Sequence, residues 1–393
     1  MAVLTRPMDG PGILQRERPL RPDLFLLLPL VILMGLGIIM VFTASRARLE
    51  AVDADPTSLV RRHVIFVVIG LVAFLVTSLI SPRTLKTLTP VLYGLSMGSL
   101  VLVLFVSTVE NTNRWIKIGD FQLQPSEFAK IAVILALAAM LAQARDGVVR
   151  WYHLVRSVVL VGVPAFLIFK QPDLGTMLVL AFLVLAAIFA GGASWRQLAF
   201  LGVTAVIFTV VVFQADVLED YQLERLSALL DNTGDLRTTA GYNQAQSEIA
   251  IGSGGFFGKG LFGGTQTNLS FVPVQSTDFI FTAVAEQLGF IGGSIVIGLY
   301  AVIIWRVLAA AFVGRDRFSQ LVAVGVAALM MFHIFVNIGM TMGLMPVTGL
   351  PLPFLSAGGS AIVAMSIALG MTHSIWMRRS TMPGERGRSA RDR

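Results

Sequence analysis

Two carboxylates bracket the start of one apolar run in this 393-residue chain. Asp278 stands at the entrance of STDFIFTAVAEQLG, and Glu286 lies eight residues further in. An acid at the rim of an apolar segment is costly unless it is paired or used, and its use would be proton transfer or cation binding. Other charges sit in similar places. Arg114 and Trp115 precede QPSEFAK, which carries Glu127 and Lys130 three residues apart on one helix face. That pair is either a helix-start acid with a local ion pair or a charged group facing a cavity. KQPDLGT places Lys170 and Asp173 around a proline, where Asp173 is either an N-cap or a functional acid. Lys259 adds a cation inside a glycine-rich stretch. His333 and Asn337, four apart, read as a hydrogen-bonded interhelical pair rather than a metal site.

The elements that must hold these residues are membrane helices. Hydrophobic residues make up 55% of the chain and charged ones 13%, with a mean hydropathy of +0.78. A soluble domain carries about 25% charge, and a water-soluble core could not hide this much apolar surface. Ten spans are expected, at 24–42, 63–81, 88–108, 126–142, 154–169, 174–191, 196–213, 279–305, 319–343 and 358–377. The first is too long for a signal-peptide h-region and lacks a clear cleavage site, so it is read as a span. The expected organisation is an N-terminal tail over 1–22, a ten-helix all-α membrane domain over 23–378 and a basic C-terminal tail over 379–393. Within the domain, 214–278 forms a large loop between helices seven and eight.

Of the 30 Lys and Arg residues, 19 fall on the tails and even-numbered loops and ten on the odd-numbered ones. The positive-inside rule then puts both termini in the cytoplasm and the large loop outside. The basic C-tail, which accounts for much of the net charge of +7, reads as an anchor to the anionic leaflet, and nucleic acid is not an expected partner. All the charged candidates above cluster on the predicted outer side. In the large loop, Leu218, Leu226, Leu229 and Leu230 suggest an amphipathic helix over 216–231. The glycine-rich stretch after it could bring backbone amides close to a ligand. The ninth loop, MGLMPVTGLPLPFLSAGGSA, cannot be helical throughout and must be buried in protein or line a cavity.

Several familiar patterns carry no weight here. GKGLFG fits G-x-G-x-x-G, but no strand precedes it, and GFFGKG lacks the residues of a Walker A loop. DAD at 53–55 reads as a solvated loop. With no cysteine and only four scattered histidines, no zinc, haem or nucleotide site is expected.

Four stretches, NRWIKIG…QPSEFAKI, KQPDLGT, GYNQAQSEIAIGSGGFFGKGLFGGTQTNLSFVP…STDFIFTAVAEQLG and NIGMTMGLMPVTGLPLPFLSAGGS, resemble the SEDS family of bacterial cell-wall polymerases. They span about 110–375 in the family's order, and GKGLFGGTQTNLSF and MPVTGLPLP are more similar to its RodA branch than to FtsW. The resemblance implies ten spans in the bacterial cytoplasmic membrane and glycosyltransferase activity on lipid II, releasing undecaprenyl diphosphate during cell elongation. It also implies a class B penicillin-binding protein as partner within the elongation machinery. Its essential aspartate matches Asp278, and its polar cavity residues match Arg114, Trp115, Glu127 and Lys130. Two positions depart from the pattern: Ser276 stands where histidine is common, and Ala357 where tyrosine is.

The implied reaction suits these residues. A sugar hydroxyl needs a base, which Asp278 would supply. A departing diphosphate needs positive charge rather than a proton donor, and Arg114, Lys130, Lys259 or a divalent cation (Mg2+ or Mn2+) would supply it. Asp173 joins the expected substrate contacts. Glu286, about 12 Å along a helix from Asp278 and about 80° around it, is assigned with His333 and Asn337 to a supporting network. The alternatives are a flippase for the lipid-linked precursor, which would place its charges near the midplane, and a scaffold for a partner synthase.

Overall fold

The computed structural model describes residues 22–106, 114–119, 121–144, 148–214 and 239–379. Its helices are α1 (Leu24–Glu50), α2 (Ser58–Leu79), α3 (Pro82–Val106), α4 (Pro125–Leu141), α5 (Trp151–Phe169), α6 (Leu174–Ala190) and α7 (Trp195–Gln214). They continue as α8 (Thr239–Ser253), α9 (Thr265–Asn268), α10 (Ile280–Val313), α11 (Arg317–Thr341) and α12 (Gly359–Met377). Ten of these are the expected spans, and α8 and α9 lie between the seventh and eighth. Seven of the described helices are long and apolar enough to cross a membrane, while α6 is a shorter apolar helix. The expected amphipathic helix over 216–231 and most of both tails lie outside the described residues.

The start of α1 and the end of α12 meet at one face of the bundle. Asp23, before α1, donates its backbone N–H to His373 Nε2 on α12 at 3.1 Å, and its carboxylate accepts from Arg306 Nε at 2.9 Å. Arg306 also stacks over Trp376, 4.1 Å from the ring centre. The opposite face carries the α1–α2 turn, an antiparallel hairpin of β1 (Ile116–Ile118) and β2 (Phe121–Leu123), and the segment leading into α10.

α4, α11 and α12 form the interior. Residues 129–138 of α4 are buried on every side, because α3, α5, α6, α11 and α12 surround them. α1, α2 and α3 leave large apolar side chains exposed, as lipid-facing helices do. The proline-rich segment between α11 and α12 is non-helical yet buried at Leu350, Leu352, Phe354 and Leu355. Its backbone polar groups find partners on neighbouring elements. Asn337 donates to Leu350 O, Tyr300 to Pro353 O, and Leu352 N to Ser356 Oγ. This is the condition for irregular backbone at membrane depth.

Two features depart from the expectation. α1 runs eight residues past its predicted end and α2 starts five residues early, so both project beyond the apolar runs. The glycine-rich stretch begins as a helix, α8, whose Ser247 hydroxyl donates to Thr341 O of α11 at 2.7 Å.

Candidate active site

Asp278 is half-buried in the turn before α10. Its amide donates to Val274 O at 3.1 Å, and its carbonyl accepts from Asn337 Nδ2 at 2.7 Å. Two residues earlier, Ser276 O accepts from Ala357 N at 2.9 Å. That bond joins the two positions that depart from the family pattern and uses main-chain atoms only, so both substitutions leave it intact.

The 270–276 segment forms one wall of a cavity of about 980 Å3. The end of α1 supplies Ser45, Arg48, Leu49 and Val52, and the start of α2 supplies Ser58, Leu59, Arg61, Arg62 and Ile65. Phe121 of the hairpin packs edge-on against Phe66, ring centres 5.5 Å apart, and lines the same space. Arg61 pairs with Asp55, whose carboxyl is held below its usual range by the Thr57 hydroxyl and amide and by Arg61. Arg48 and Arg62 form no ion pair among the described residues. The cavity therefore offers two guanidinium groups for an anion together with an apolar lining. Sequence reasoning missed these arginines because it assigned 43–62 to a loop and counted them only as topology signals. The signal was present: Arg61-Arg62 sits on the outer side, against the positive-inside trend.

Glu127 and Lys130 lie deeper, on the first turns of α4. Lys130 is 0% exposed, and its Nζ donates to Glu127 Oε1 at 2.7 Å and to His333 Nε2 at 3.1 Å. An ammonium can only donate, so His333 Nε2 accepts and its Nδ1 carries the proton toward Pro351 O, 3.3 Å away. Glu127 Oε2 and Ser126 Oγ are buried with no protein partner. The pair thus spans from α4 to α11 beneath the proline-rich segment.

Three residues expected at the substrate are engaged elsewhere. Asp173 caps α6: it accepts from Thr176 N at 3.1 Å and Thr176 Oγ1 at 2.8 Å, and Gln124 Nε2 lies 3.3 Å away. Arg114 donates through Nε to Gln171 O at 2.6 Å and also to Pro172 O, clamping the turn before α6 to the hairpin. Lys259 donates to Ser253 Oγ at 2.8 Å, Thr265 Oγ1 at 2.7 Å and Glu286 Oε1 at 3.1 Å, which uses all three ammonium protons. Trp115 is half-buried beside Arg114 at the foot of the hairpin.

Glu286 is 0% exposed and receives more than Lys259. Its Oε1 accepts from Gln266 N at 2.8 Å, and its Oε2 from Thr267 N at 2.9 Å and Thr267 Oγ1 at 2.7 Å. The carboxylate thereby caps α9 and ties the loop to α10. The glycines complete that join. α10 breaks at Gly289, whose φ of 66° suits glycine, and a Cβ there would lie 2.2 Å from Gly258 N. The loop amides of Lys259 and Gly260 donate to Glu286 O and Gln287 O, each at 3.0 Å. The expectation that these amides face a ligand is corrected: they face the broken helix.

The family model for FtsW, RodA and SpoVE, described as cell cycle protein, matches residues 24–381. The chain belongs to that family. It is 37% identical over 324 residues to the peptidoglycan glycosyltransferase MrdB of Escherichia coli K12, covering 80% of this chain and 85% of that one. It is 35% identical to stage V sporulation protein E of Bacillus subtilis, covering 89% and 95%. Among solved structures, Thermus thermophilus RodA superposes with a TM-score of 0.68 at 28% identity, covering 92% of this chain and 99% of that one. A chain from a peptidoglycan synthase complex that coordinates polymerization and crosslinking gives 0.76 at 30% identity, covering 91% and 98%. Family membership and the apolar helices make this a multi-pass protein of the bacterial cytoplasmic membrane.

Proposed function

We propose that this chain is a peptidoglycan glycosyltransferase that polymerises lipid II on the outer face of the membrane, with Asp278 as general base. The observation that carries the reading is the cavity walled by residues 270–276, a segment that ends two positions before Asp278. The cavity combines an apolar lining with two arginines that form no ion pair among the described residues. A diphosphate esterified to a polyprenyl chain needs both. The chain-end face takes the cytoplasmic side by its excess of Lys and Arg, so the cavity opens outside.

In this mechanism the acceptor hydroxyl oxygen attacks the anomeric carbon of the donor sugar in line with the departing diphosphate. The new C–O bond forms as the bond from carbon to phosphate oxygen breaks, and the anomeric centre inverts. The hydroxyl proton passes to the Asp278 carboxylate, a step worth about 10²–10⁴-fold. Arg48 and Arg62 take the charge that develops on the leaving diphosphate. Lys130, Glu127 and His333 tie α4 to α11 and to Pro351 O of the proline-rich segment, and Arg114 holds the hairpin against the turn before α6. The described residues contain no group of three His, Asp or Glu that could cage a metal. A Mg2+ or Mn2+ bound with the diphosphate would add positive charge at the leaving group beside Arg48 and Arg62. The polymerised strand would pass to a class B penicillin-binding protein for cross-linking, as part of the elongation machinery.

The test is polymerisation of fluorescent lipid II by the purified full chain, wild type against Asp278→Ala. Loss of polymer with normal folding supports the reading. An unchanged polymer yield in Asp278→Ala sinks it.

A further inference from the structure

We infer that Asn337 is the positioning residue of Asp278, through one buried amide that joins the base to Leu350 of the proline-rich segment. The inference rests on Asp278 being the base. Asp278 lies outside regular structure: α10 begins at Ile280, and no side chain caps its N-terminus. Apart from the bond of its amide to Val274 O in the preceding turn, discrete ties to other elements must locate the acid.

Asn337 supplies a tie of unusual economy. It is 0% exposed, and both hydrogens of its Nδ2 are committed, one to Asp278 O and one to Leu350 O, each at 2.7 Å. A planar amide with both N–H bonds engaged fixes the separation of the two carbonyls it bridges. One of these belongs to the base itself and the other to the segment between α11 and α12.

The reference frame behind Asn337 is stiff. One turn earlier on the same face of α11, His333 reaches Pro351 O and is itself held by Lys130. Adjacent carbonyls, Leu350 and Pro351, are thus gripped by side chains four residues apart on one helix. The Ala357–Ser276 bond closes the other side of the frame. Within it, displacement of Asp278 by about 1 Å would cost on the order of 10²-fold in rate.

Asn337→Asp keeps the shape of the side chain but has at most one O–H donor for two carbonyls. Asn337→Leu keeps an apolar side chain of similar volume and has none. Both are compared with wild type and Asp278→Asn in lipid II polymerisation and in amide hydrogen exchange, with gel filtration and thermal melting as folding controls. Expected is a fall of about 10- to 100-fold in kcat with KM within about twofold, the pattern of a lost transition-state interaction. Exchange should quicken over 274–280 and 348–352 in proteins that elute as wild type does. A kcat within about twofold of wild type in a folded variant overturns the inference. So does a loss of kcat with unaltered exchange over 274–280. Two variants of different polarity allow one to fail to fold without leaving the question open. An active Asp278→Asn would instead refute the base, whereas an inactive one beside normal Asn337 variants refutes the positioning alone.

Discussion

Exchanging each of the two carboxylates for its amide should give opposite phenotypes. In Glu286→Gln one oxygen of the carboxylate becomes an NH2 group. The oxygen that remains can serve either the pair Gln266 N and Lys259 Nζ or the pair Thr267 N and Thr267 Oγ1, but not both. Two charge-assisted bonds, each about 1.5–3 kcal/mol, are lost. Lys259 is a quarter exposed and recovers part of its share by turning to water. The net destabilisation is about 3–5 kcal/mol, which at roughly 2–4 °C per kcal/mol lowers the melting temperature by about 10 °C. Asp278→Asn, at a half-buried turn, should melt within about 2 °C of wild type but form no polymer. Thermal unfolding in detergent, followed by the fluorescence of the five tryptophans, and lipid II polymerisation measure the two effects. A Glu286→Gln protein that melts normally yet cannot polymerise would refute the brace and bring Glu286 into the chemistry.

Arg48→Ala and Arg62→Ala should each weaken polymerisation about tenfold or more, the worth of one charge-assisted bond to phosphate, with unchanged melting; normal kinetics in the double variant would remove the cavity from the reaction. Gly289→Ala forces a Cβ to within 2.2 Å of Gly258 N and an L residue into positive φ, so a loss of several kcal/mol is expected in the same melting assay. Lys130→Met strands the Glu127 carboxylate and should cost about 3–5 kcal/mol, whereas the double change Lys130→Met with Glu127→Gln should recover part of that loss in a double-mutant cycle. Chelation with EDTA should lower polymer yield if the diphosphate brings a divalent cation, and restoration by added Mg2+ or Mn2+ checks the specificity of that effect.

The ten spans were legible because a bilayer demands about 20 apolar residues for each crossing, and that demand is written locally. Asp278 was legible too, as an acid left at the edge of such a run. What misled was the assumption that helices end where apolarity ends. α1 and α2 continue into polar sequence and carry Arg48, Arg61 and Arg62 to the cavity. The glycines of the loop and Lys259 misled in another way. Residue type announced close approach and positive charge, but not that both would be used by α10 of the same chain.

By itself the sequence determined that this is a polytopic helical membrane protein with an acid at the rim of an apolar run, since span length, charge bias and the cost of burying charge act residue by residue. Tertiary structure decided which charges remain for a substrate. Asp173, Arg114, Lys259 and Glu286 are consumed by partners from 3 to 58 positions away, whereas Arg48 and Arg62 face the cavity. A side chain's availability depends on what else approaches it, and that is set only when helices distant in sequence pack together.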